Sequence, residues 1–281
     1  MALSDISLTS GMRSNLLQLQ NTAKSIDRTQ ERLSTGKQVN SALDNPTNFF
    51  ASQAALNRAN DFSSRKDGMG EAIQNVKAAD AGITAITALV SAAKGIAEAA
   101  LGTTVTAERT AFSVQYNALR TQIDTLATDS AYRGTNLLKG DNLTVNFNED
   151  SSSNLTVTGF TATSASGLSL AASTSTVSDW TTGSTTASTA LITTDQGKMD
   201  SAVTELRSQS KTLAGNLNII TTRQNFTDKM ISTLQTGSDN LTLADMNNEG
   251  ANMLMLQTRQ SLGTTALSMS SQAAQSVLRL F

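Results

Sequence analysis

The sequence predicts a mainly α protein, in which segments from both ends of the chain form a long-helix coiled-coil bundle around a small middle segment of β and loop structure. Two observations predict this fold class. Apolar residues recur in alternating steps of four and three along both ends of the 281-residue chain, which keeps an apolar seam on one side of a helix. Between the two ends lies a stretch of different composition, where 24 of the 44 residues from 151 to 194 are Ser or Thr.

The first helix is predicted over about residues 4–34, because Gly36 is the residue type that accepts the left-handed conformation after a helix end. Its seam follows the four-three spacing, with Gln30 as the single polar member. The apolar members of this seam are Met12, Leu16, Leu19, Ala23, Ile26 and Leu33.

The last helix repeats the same pattern up to the final residues of the chain. A soluble monomer usually ends in polar, frayed residues, whereas this chain ends in apolar ones. The two terminal seams therefore predict a polymerisation interface that one subunit does not cover by itself. Its predicted residues are Met12, Leu16, Leu19, Ile26, Leu33, Leu262, Ala266, Met269, Ala273, Leu280 and Phe281.

Three further helices are predicted inside the terminal ones, over residues 46–101, 107–129 and 195–235. Proline suits the first position of a helix and Asn is a good N-cap, so Asn45-Pro46 marks a helix start. The long helix that follows has a seam with a period of seven, and matching seams in the other two predict that the three helices form a bundle. The seam of the long helix is Met69, Val76, Ile83, Val90 and Ala97.

The middle of the chain has strand-like and loop-like character. Apolar and polar residues alternate on either side of a turn-like Asn- and Ser-rich stretch, so residues 143–160 suggest a β-hairpin. The Ser- and Thr-rich stretch is either a solvated spacer with weak β character or a site of O-linked decoration. Its scattered apolar residues are compatible with a small β subdomain and with a partly ordered loop: Leu168, Leu170, Trp180, Leu191 and Ile192. Since residues 161–190 lack a periodic apolar face, their deletion is predicted to leave polymerisation intact.

The predicted domains are nested in sequence. The inner terminal-helix domain is formed by residues 1–43 and 241–281, and the bundle domain by residues 44–140 and 195–240. Residues 141–194 form a variable, surface-exposed segment. Because isolated helices gain stability mainly by burying a face, residues 1–40 and 245–281 are predicted to be disordered in the free subunit and to fold on assembly.

Composition excludes most enzymatic designs. The chain has no His and no Cys, so it offers no Ser-His-Asp triad, no thiolate nucleophile and neither of the usual nitrogen or sulfur ligands of zinc. We therefore predict a non-enzymatic protein with no cofactor and no metal site. A net charge of -2 with scattered Lys and Arg gives no basic stripe for nucleic acid. Counting apolar residues finds no window that approaches the ~18 of a membrane span, so no membrane insertion is predicted.

Three separated segments resemble the bacterial flagellin family, and the resemblance covers about residues 1–140 and 195–281. The segments are Leu33-Ser-Thr-Gly-Lys-Gln-Val-Asn-Ser-Ala-Leu-Asp-Asn-Pro46, Tyr132-Arg-Gly-Thr-Asn-Leu-Leu138 and Ser271-Gln-Ala-Ala-Gln-Ser-Val-Leu-Arg-Leu-Phe281.

The resemblance implies a structural protein, a subunit that polymerises with copies of itself into the helical, extracellular flagellar filament used for swimming. It implies export by the flagellar type III apparatus without a cleaved signal peptide. The N-terminus also lacks the charged and apolar parts of a conventional leader. The implied partners are the export apparatus, an export chaperone that binds the C-terminus, the filament cap and the hook-associated proteins. The alternatives are a hook–filament junction protein, which shares the terminal helices, and a secreted enzyme.

Overall fold

The computed structural model describes residues 10–173, 179–181 and 185–278. The described chain is mainly helical and contains one two-stranded antiparallel sheet, which confirms the predicted fold class. Its elements are α1 (Ser10–Thr35), α2 (Pro46–Leu101), α3 (Thr106–Asp129), β1 (Leu143–Asn146), β2 (Asn154–Val157), α4 (Thr185–Thr242) and α5 (Met246–Leu278).

The ends of α1 and α2 follow the signals in the sequence. After α1, Gly36 adopts a φ of 69°, and its N–H donates to Arg32 O at 2.8 Å, which closes the last turn. At the start of α2, the Asn45 side chain accepts the N–H of Asn48 at 3.1 Å and satisfies one of the unpaired donors of the first turn. The predicted start of the long helix at Pro46 is confirmed.

The chain divides into two compact units. The terminal unit consists of Met1–Asn57 and Thr233–Phe281, and the central unit consists of Arg58–Ser232. The terminal unit contains α1 and α5, the central unit contains α3 and the hairpin, and α2 and α4 contribute residues to both.

The core of the central unit is built from the seven-residue seams. All five seam residues predicted for α2 are at most 3% exposed and belong to one hydrophobic cluster. The α4 side of the cluster repeats the same spacing, so the two long helices meet along matching stripes. The α4 residues are Ile192, Met199, Leu206, Leu213 and Ile220.

One part of α2 is more apolar than the residue count suggested. Its best 18-residue window reaches a mean hydropathy of 1.3, so by length and composition alone this helix is apolar enough to cross a membrane. Three large apolar side chains of this helix, Ile83, Ile86 and Val90, are 0–3% exposed inside the core of the central unit, and 33% of the window is buried. The core helix of a soluble protein meets the same criterion.

The predicted hairpin is present. Leu143 pairs with Val157 and Asn146 with Asn154 in an antiparallel register. The inward-facing residue Val157 is fully buried, and the Arg223 guanidinium lies 5.2 Å from the centre of the Phe147 ring. The hairpin therefore covers one side of the central core.

The Ser- and Thr-rich segment is far more structured than its composition indicated. Leu168, Leu170 and Trp180 are at most 3% exposed. Arg120 Nε of α3 donates to Leu170 O at 2.8 Å, and Tyr116 Oη donates to Ala171 O at 3.1 Å. These three apolar residues anchor the segment to the central unit.

Helix α4 also starts ten residues earlier than predicted, at Thr185 instead of position 195. Ile192 is fully buried and lies seven residues before Met199. The seam of α4 therefore extends into the Ser- and Thr-rich stretch, where weak helix formers concealed it.

A buried polar cluster holds Trp180 in place. Its indole ring stacks on Tyr116 with ring centres 4.8 Å apart, and Nε1 donates to Asp195 Oδ2 at 2.9 Å. Lys198 Nζ lies 3.3 Å from the other carboxylate oxygen of Asp195. Burial raises the pKa of the Tyr116 hydroxyl, which stays protonated and serves as a hydrogen-bond donor.

Candidate assembly interface

Buried and exposed apolar residues are distributed unequally between the two units. Of the 33 buried hydrophobic residues in the described chain, only Met12, Val39 and Leu256 lie in the terminal unit. Ten of the 14 exposed large hydrophobic residues lie there: Leu16, Leu17, Leu43, Phe50, Leu243, Met246, Leu254, Met255, Leu262 and Met269.

Helices α1 and α5 pair in antiparallel orientation. Arg32 Nη1 lies 3.0 Å from Glu249 Oε1. Further from this end, a Cβ placed on Gly263 would lie 2.7 Å from Leu19 Cδ2, so the glycine allows the two helices to approach closely. The contact partner of Arg32 is therefore Glu249, and that of the earlier residue Leu19 is the later residue Gly263, which is the order expected of antiparallel helices.

The α1 side of this pair is a mixed seam. Met12 and Leu19 lie on the stripe that continues, at steps of seven, to the partly buried Ile26 and Leu33. Between them, the more deeply buried positions are Thr22 and Thr29, at 4% and 6% exposed. A seam with threonine at alternate positions buries less apolar surface than a leucine seam, which supports weak pairing within one subunit.

The structure divides the eleven predicted interface residues between two faces. Met12, Leu19, Ile26 and Leu33 lie on the α1 seam, and Ala266 is partly buried. The others that the structure describes are exposed, and Leu280 and Phe281 lie outside the described residues. The exposed group is Leu16 at 39%, Leu262 at 66%, Met269 at 61%, and Ala273.

The exposed apolar residues of α5 form a stripe of their own. Met255, Leu262 and Met269 are spaced by seven residues and are 49–66% exposed, and we call them the α5 stripe. Leu262 precedes Gly263, which faces Leu19, and one residue turns a helix by about 100°. The α5 stripe therefore points away from α1. Beside it is a groove of about 390 Å³, lined by Leu254, Met255, Thr258, Arg259 and Leu262.

The segment between α1 and α2 is fixed to the α4–α5 connection. Gln38 N–H donates to Thr242 O at 2.7 Å, and Ala244 N–H donates to Gly36 O at 3.0 Å. This anchoring holds Leu43 at 96% exposed. Phe50, on the first turns of α2, is 62% exposed.

Sequence reasoning missed several of these exposed residues. Met255 could have been identified from the sequence, since it lies seven residues before Leu262 on the same stripe. Leu43 and Phe50 could not have been identified, because neither belongs to a periodic apolar pattern.

The carboxylate of Asp44 organises the same segment. It accepts the backbone N–H groups of Ser41 at 3.0 Å and Asn40 at 3.1 Å. These bonds, that of Ser41 first, lower the pKa of Asp44 below its ordinary 3.8. Because the folded pKa is depressed, the stabilisation is present above the unfolded pKa of 3.8 and is lost as pH falls through the folded value.

We expect the amide resonances of Asn40 and Ser41 to titrate with a midpoint below 3.8, as measured by NMR. The Asp44→Asn variant should show no such titration at these two amides. A midpoint above 3.8 would contradict the described hydrogen bonds.

The Arg32–Glu249 pair gives a second prediction. Arg32→Met should lower the free energy of opening of the α1–α5 pair by about 1.5 to 3 kcal/mol, because Glu249 loses a charge-assisted hydrogen bond. The side chain of Glu249 is only 10% exposed, so water replaces the lost donor poorly. Hydrogen exchange of α1 amides measures the change. Arg28→Met, at an exposed site on the same helix, is the control, and an equal effect in both variants would contradict the prediction.

These features define a class of protein: a helical subunit with a well-packed central unit and a terminal unit whose apolar surface is left open. The N-terminal part of the chain matches the family model described as the bacterial flagellin N-terminal helical region, over residues 6–143. Flagellins FljO and FljM of Caulobacter vibrioides are each 31% identical to it over 285 residues, which cover 100% of both chains in each comparison. The crystal structure of Bacillus cereus flagellin is similar at 19% identity and a TM-score of 0.45, over 57% of this chain and 88% of that one.

The chain belongs to the flagellin family, since the match to relatives extends over its whole length.

Proposed function

We propose that this flagellin polymerises into the flagellar filament through its terminal unit. The observation that carries the proposal is the unequal distribution of apolar residues: of the 14 exposed large hydrophobic residues among those that the structure describes, ten lie in that unit. Burial of apolar surface is the main favourable term in protein association. A surface of this kind favours assembly over a monomeric role.

The eleven terminal residues predicted from the sequence would act in two ways. Met12, Leu19, Ile26 and Leu33 would hold α1 against α5 within a subunit, because they share the stripe that faces Gly263. Leu16, Leu262, Met269, Ala273, Leu280 and Phe281 would contact other copies, together with Met255 of the α5 stripe. The partly buried Ala266 would support the pairing of α1 with α5. The exposure of Leu262 and Met269 supports this division.

The domains fit the same scheme. The inner terminal-helix domain, residues 1–43 and 241–281, would form the innermost wall of the filament, and residues 44–140 with 195–240 the tube around it. Residues 141–194 would face the surrounding medium.

Its role would be structural, and we propose neither catalysis nor a cofactor. Within residues 10–173, 179–181 and 185–278, no three Asp or Glu side chains stand close enough together to hold a metal ion. The chain also lacks His and Cys entirely.

The protein would reach the outside of the cell through the flagellar export apparatus without a cleaved signal peptide. Its partners on that route would be an export chaperone that binds the C-terminal segment, the filament cap and the hook-associated proteins. The relatives matched over the full length are named flagellins, which favours a filament subunit over a hook–filament junction protein.

Electron microscopy of the purified protein after salting-out tests the proposal. We expect long helical filaments, and a reconstruction should place Leu262 and Met269 against neighbouring copies. Dispersed particles under all polymerising conditions, in a protein that remains folded, would overturn it.

A further inference from the structure

The most exposed sulfur atoms in the described part of the chain belong to one helix. The sequence has nine methionines and no cysteine, so every sulfur atom is a thioether. Three methionines are exposed among the described residues, and all three lie on α5: Met246 at 47%, Met255 at 49% and Met269 at 61%. In the core of the central unit, by contrast, Met69 and Met199 are 0% exposed. An oxidant in the solvent therefore reaches the thioethers of α5 most readily.

The three exposed methionines occupy two opposite faces of α5. Met255 and Met269 belong to the α5 stripe, with Leu262 midway between them. Met246 lies nine residues before Met255, which is about two and a half turns of a helix. Its side chain therefore leaves α5 on the side about 180° from the stripe. Met246 and Met255 are equally open to solvent and differ in the face that they occupy.

Methionine gives the α5 stripe a property that leucine would not give it. Met255 lies beside Leu254 and Leu262 in the lining of the groove next to the stripe, so its thioether is part of an apolar surface open to water. The methionine side chain is unbranched and polarizable, which makes it adaptable at binding surfaces. It also carries one atom whose oxidation turns an apolar side chain into a polar one.

A peroxide makes this change in one two-electron step. The thioether sulfur attacks one oxygen of hydrogen peroxide with a lone pair, and the S–O bond forms as the O–O bond breaks. The departing hydroxide takes the proton of the transferred oxygen and leaves as water. The sulfur is oxidised by two electrons and the peroxide is reduced. The product, methionine sulfoxide, is polar and chiral and disrupts methionine-rich interfaces, because a polar group buried without a hydrogen-bond partner weakens the contact.

We propose that Met255 and Met269 form an oxidation-sensitive modification site, at which conversion to methionine sulfoxide by a peroxide prevents a free subunit from joining the filament. The inference rests on the proposed assembly through the terminal unit. In the free subunit the α5 stripe is open and reacts with the oxidant. In the filament it is covered by other copies and is protected. Methionine sulfoxide reductases, one for each sulfoxide epimer, reverse the modification.

Leucine variants test the site, because leucine is close to methionine in volume and has no sulfur to oxidise. The α5-stripe variant carries Met255→Leu and Met269→Leu together. Met246→Leu is the matched control, since it removes an equally exposed thioether from the opposite face. Folded free subunits are treated with hydrogen peroxide, and the sulfoxides are located by mass spectrometry of peptides. The critical concentration for assembly is measured before and after treatment, so that each variant is its own reference.

We expect oxidation to raise the critical concentration of the wild type and of Met246→Leu about tenfold or more, and that of the α5-stripe variant much less. An equal rise in the α5-stripe variant, or protection by Met246→Leu, would assign the sensitivity to another residue and overturn the inference. Unchanged assembly of wild-type subunits that carry sulfoxides at 255 and 269 would also overturn it, with the proposed function intact. Untreated wild-type subunits that form no filaments would overturn the proposed function and this inference with it.

The wild type alone provides a second measurement, which does not depend on the variants folding. In free subunits, Met255 and Met269 should oxidise about tenfold or more faster than Met69 and Met199, because a buried sulfur reacts only when the chain opens. In filaments the two stripe methionines should react about tenfold more slowly than in free subunits. Complete reduction of oxidised subunits by the two reductases should restore assembly. Equal rates in both states, or no assembly after complete reduction, would overturn the inference.

Discussion

Met269→Asp is expected to abolish filament formation while leaving the thermal midpoint of the free subunit unchanged. In the subunit, Met269 is 61% exposed, so the introduced carboxylate remains in water and carries no desolvation penalty. In a filament the α5 stripe is expected to be buried against other copies. There, losing a buried methionine weakens a contact by about 2 to 5 kcal/mol, and burying an unpaired charge adds to the loss. Every subunit repeats the defect.

Ser268→Asp is the matched control. Ser268 is exposed and precedes Met269, so it introduces the same charge on a face of α5 turned by about 100°. We expect this variant to polymerise, as judged by electron microscopy and sedimentation, and both free variants to melt like the wild type. Normal filaments from Met269→Asp would exclude the α5 stripe from the interface. A large fall in the melting temperature of the free variant would show that Met269 belongs to the core of the subunit.

Heptad spacing predicted which segments are helical more reliably than it predicted what covers them. The central seams of α2 and α4 were identified and are buried. At the termini the same spacing is compatible with two neighbouring stripes. The threonines at 22 and 29 occupy the buried positions of α1, whereas Leu16 and Leu262 remain exposed. A search for apolar spacing prefers leucine to threonine, so it selected Leu16 and passed over the buried threonines. Such a search cannot distinguish contacts within a chain from contacts between chains.

The fold of the middle of the chain could not be predicted from the sequence for a different reason. Residues 151–194 contain so much Ser and Thr that no apolar period is visible, yet a few anchors suffice once another element supplies hydrogen bonds. Helix α3 supplies them, since the Asn117 amide bonds both the N–H and the C=O of Ser173, and Asp124 accepts from Ser164. Side-chain to backbone bonds of this kind depend on which helix lies alongside, so sequence alone does not reveal them.

Trp180→Ala is expected to destabilise the free subunit by about 3 to 5 kcal/mol, the range measured when large aromatic residues are removed from a core. Trp180 is fully buried, stacks on Tyr116, and its removal leaves Asp195 without its indole donor. For a unit of this size, the thermal midpoint should fall by roughly 10 °C, measured by circular dichroism. By the same reasoning, we expect deletion of residues 161–190 to destabilise the free subunit.

Two further variants separate packing from hydrogen bonding. Trp180→Phe retains most of the ring volume and the stacking but removes the N–H, so we expect a smaller fall in melting temperature than with alanine. Val114→Ala, on the neighbouring α3 and 65% exposed, should have almost no effect. If Trp180→Ala melts like Val114→Ala, the Ser- and Thr-rich segment lies outside the core. Deletion of residues 161–190 would then leave the stability of the subunit unchanged. If Trp180→Phe is as unstable as Trp180→Ala, the bond to Asp195 contributes more than the packing of the ring.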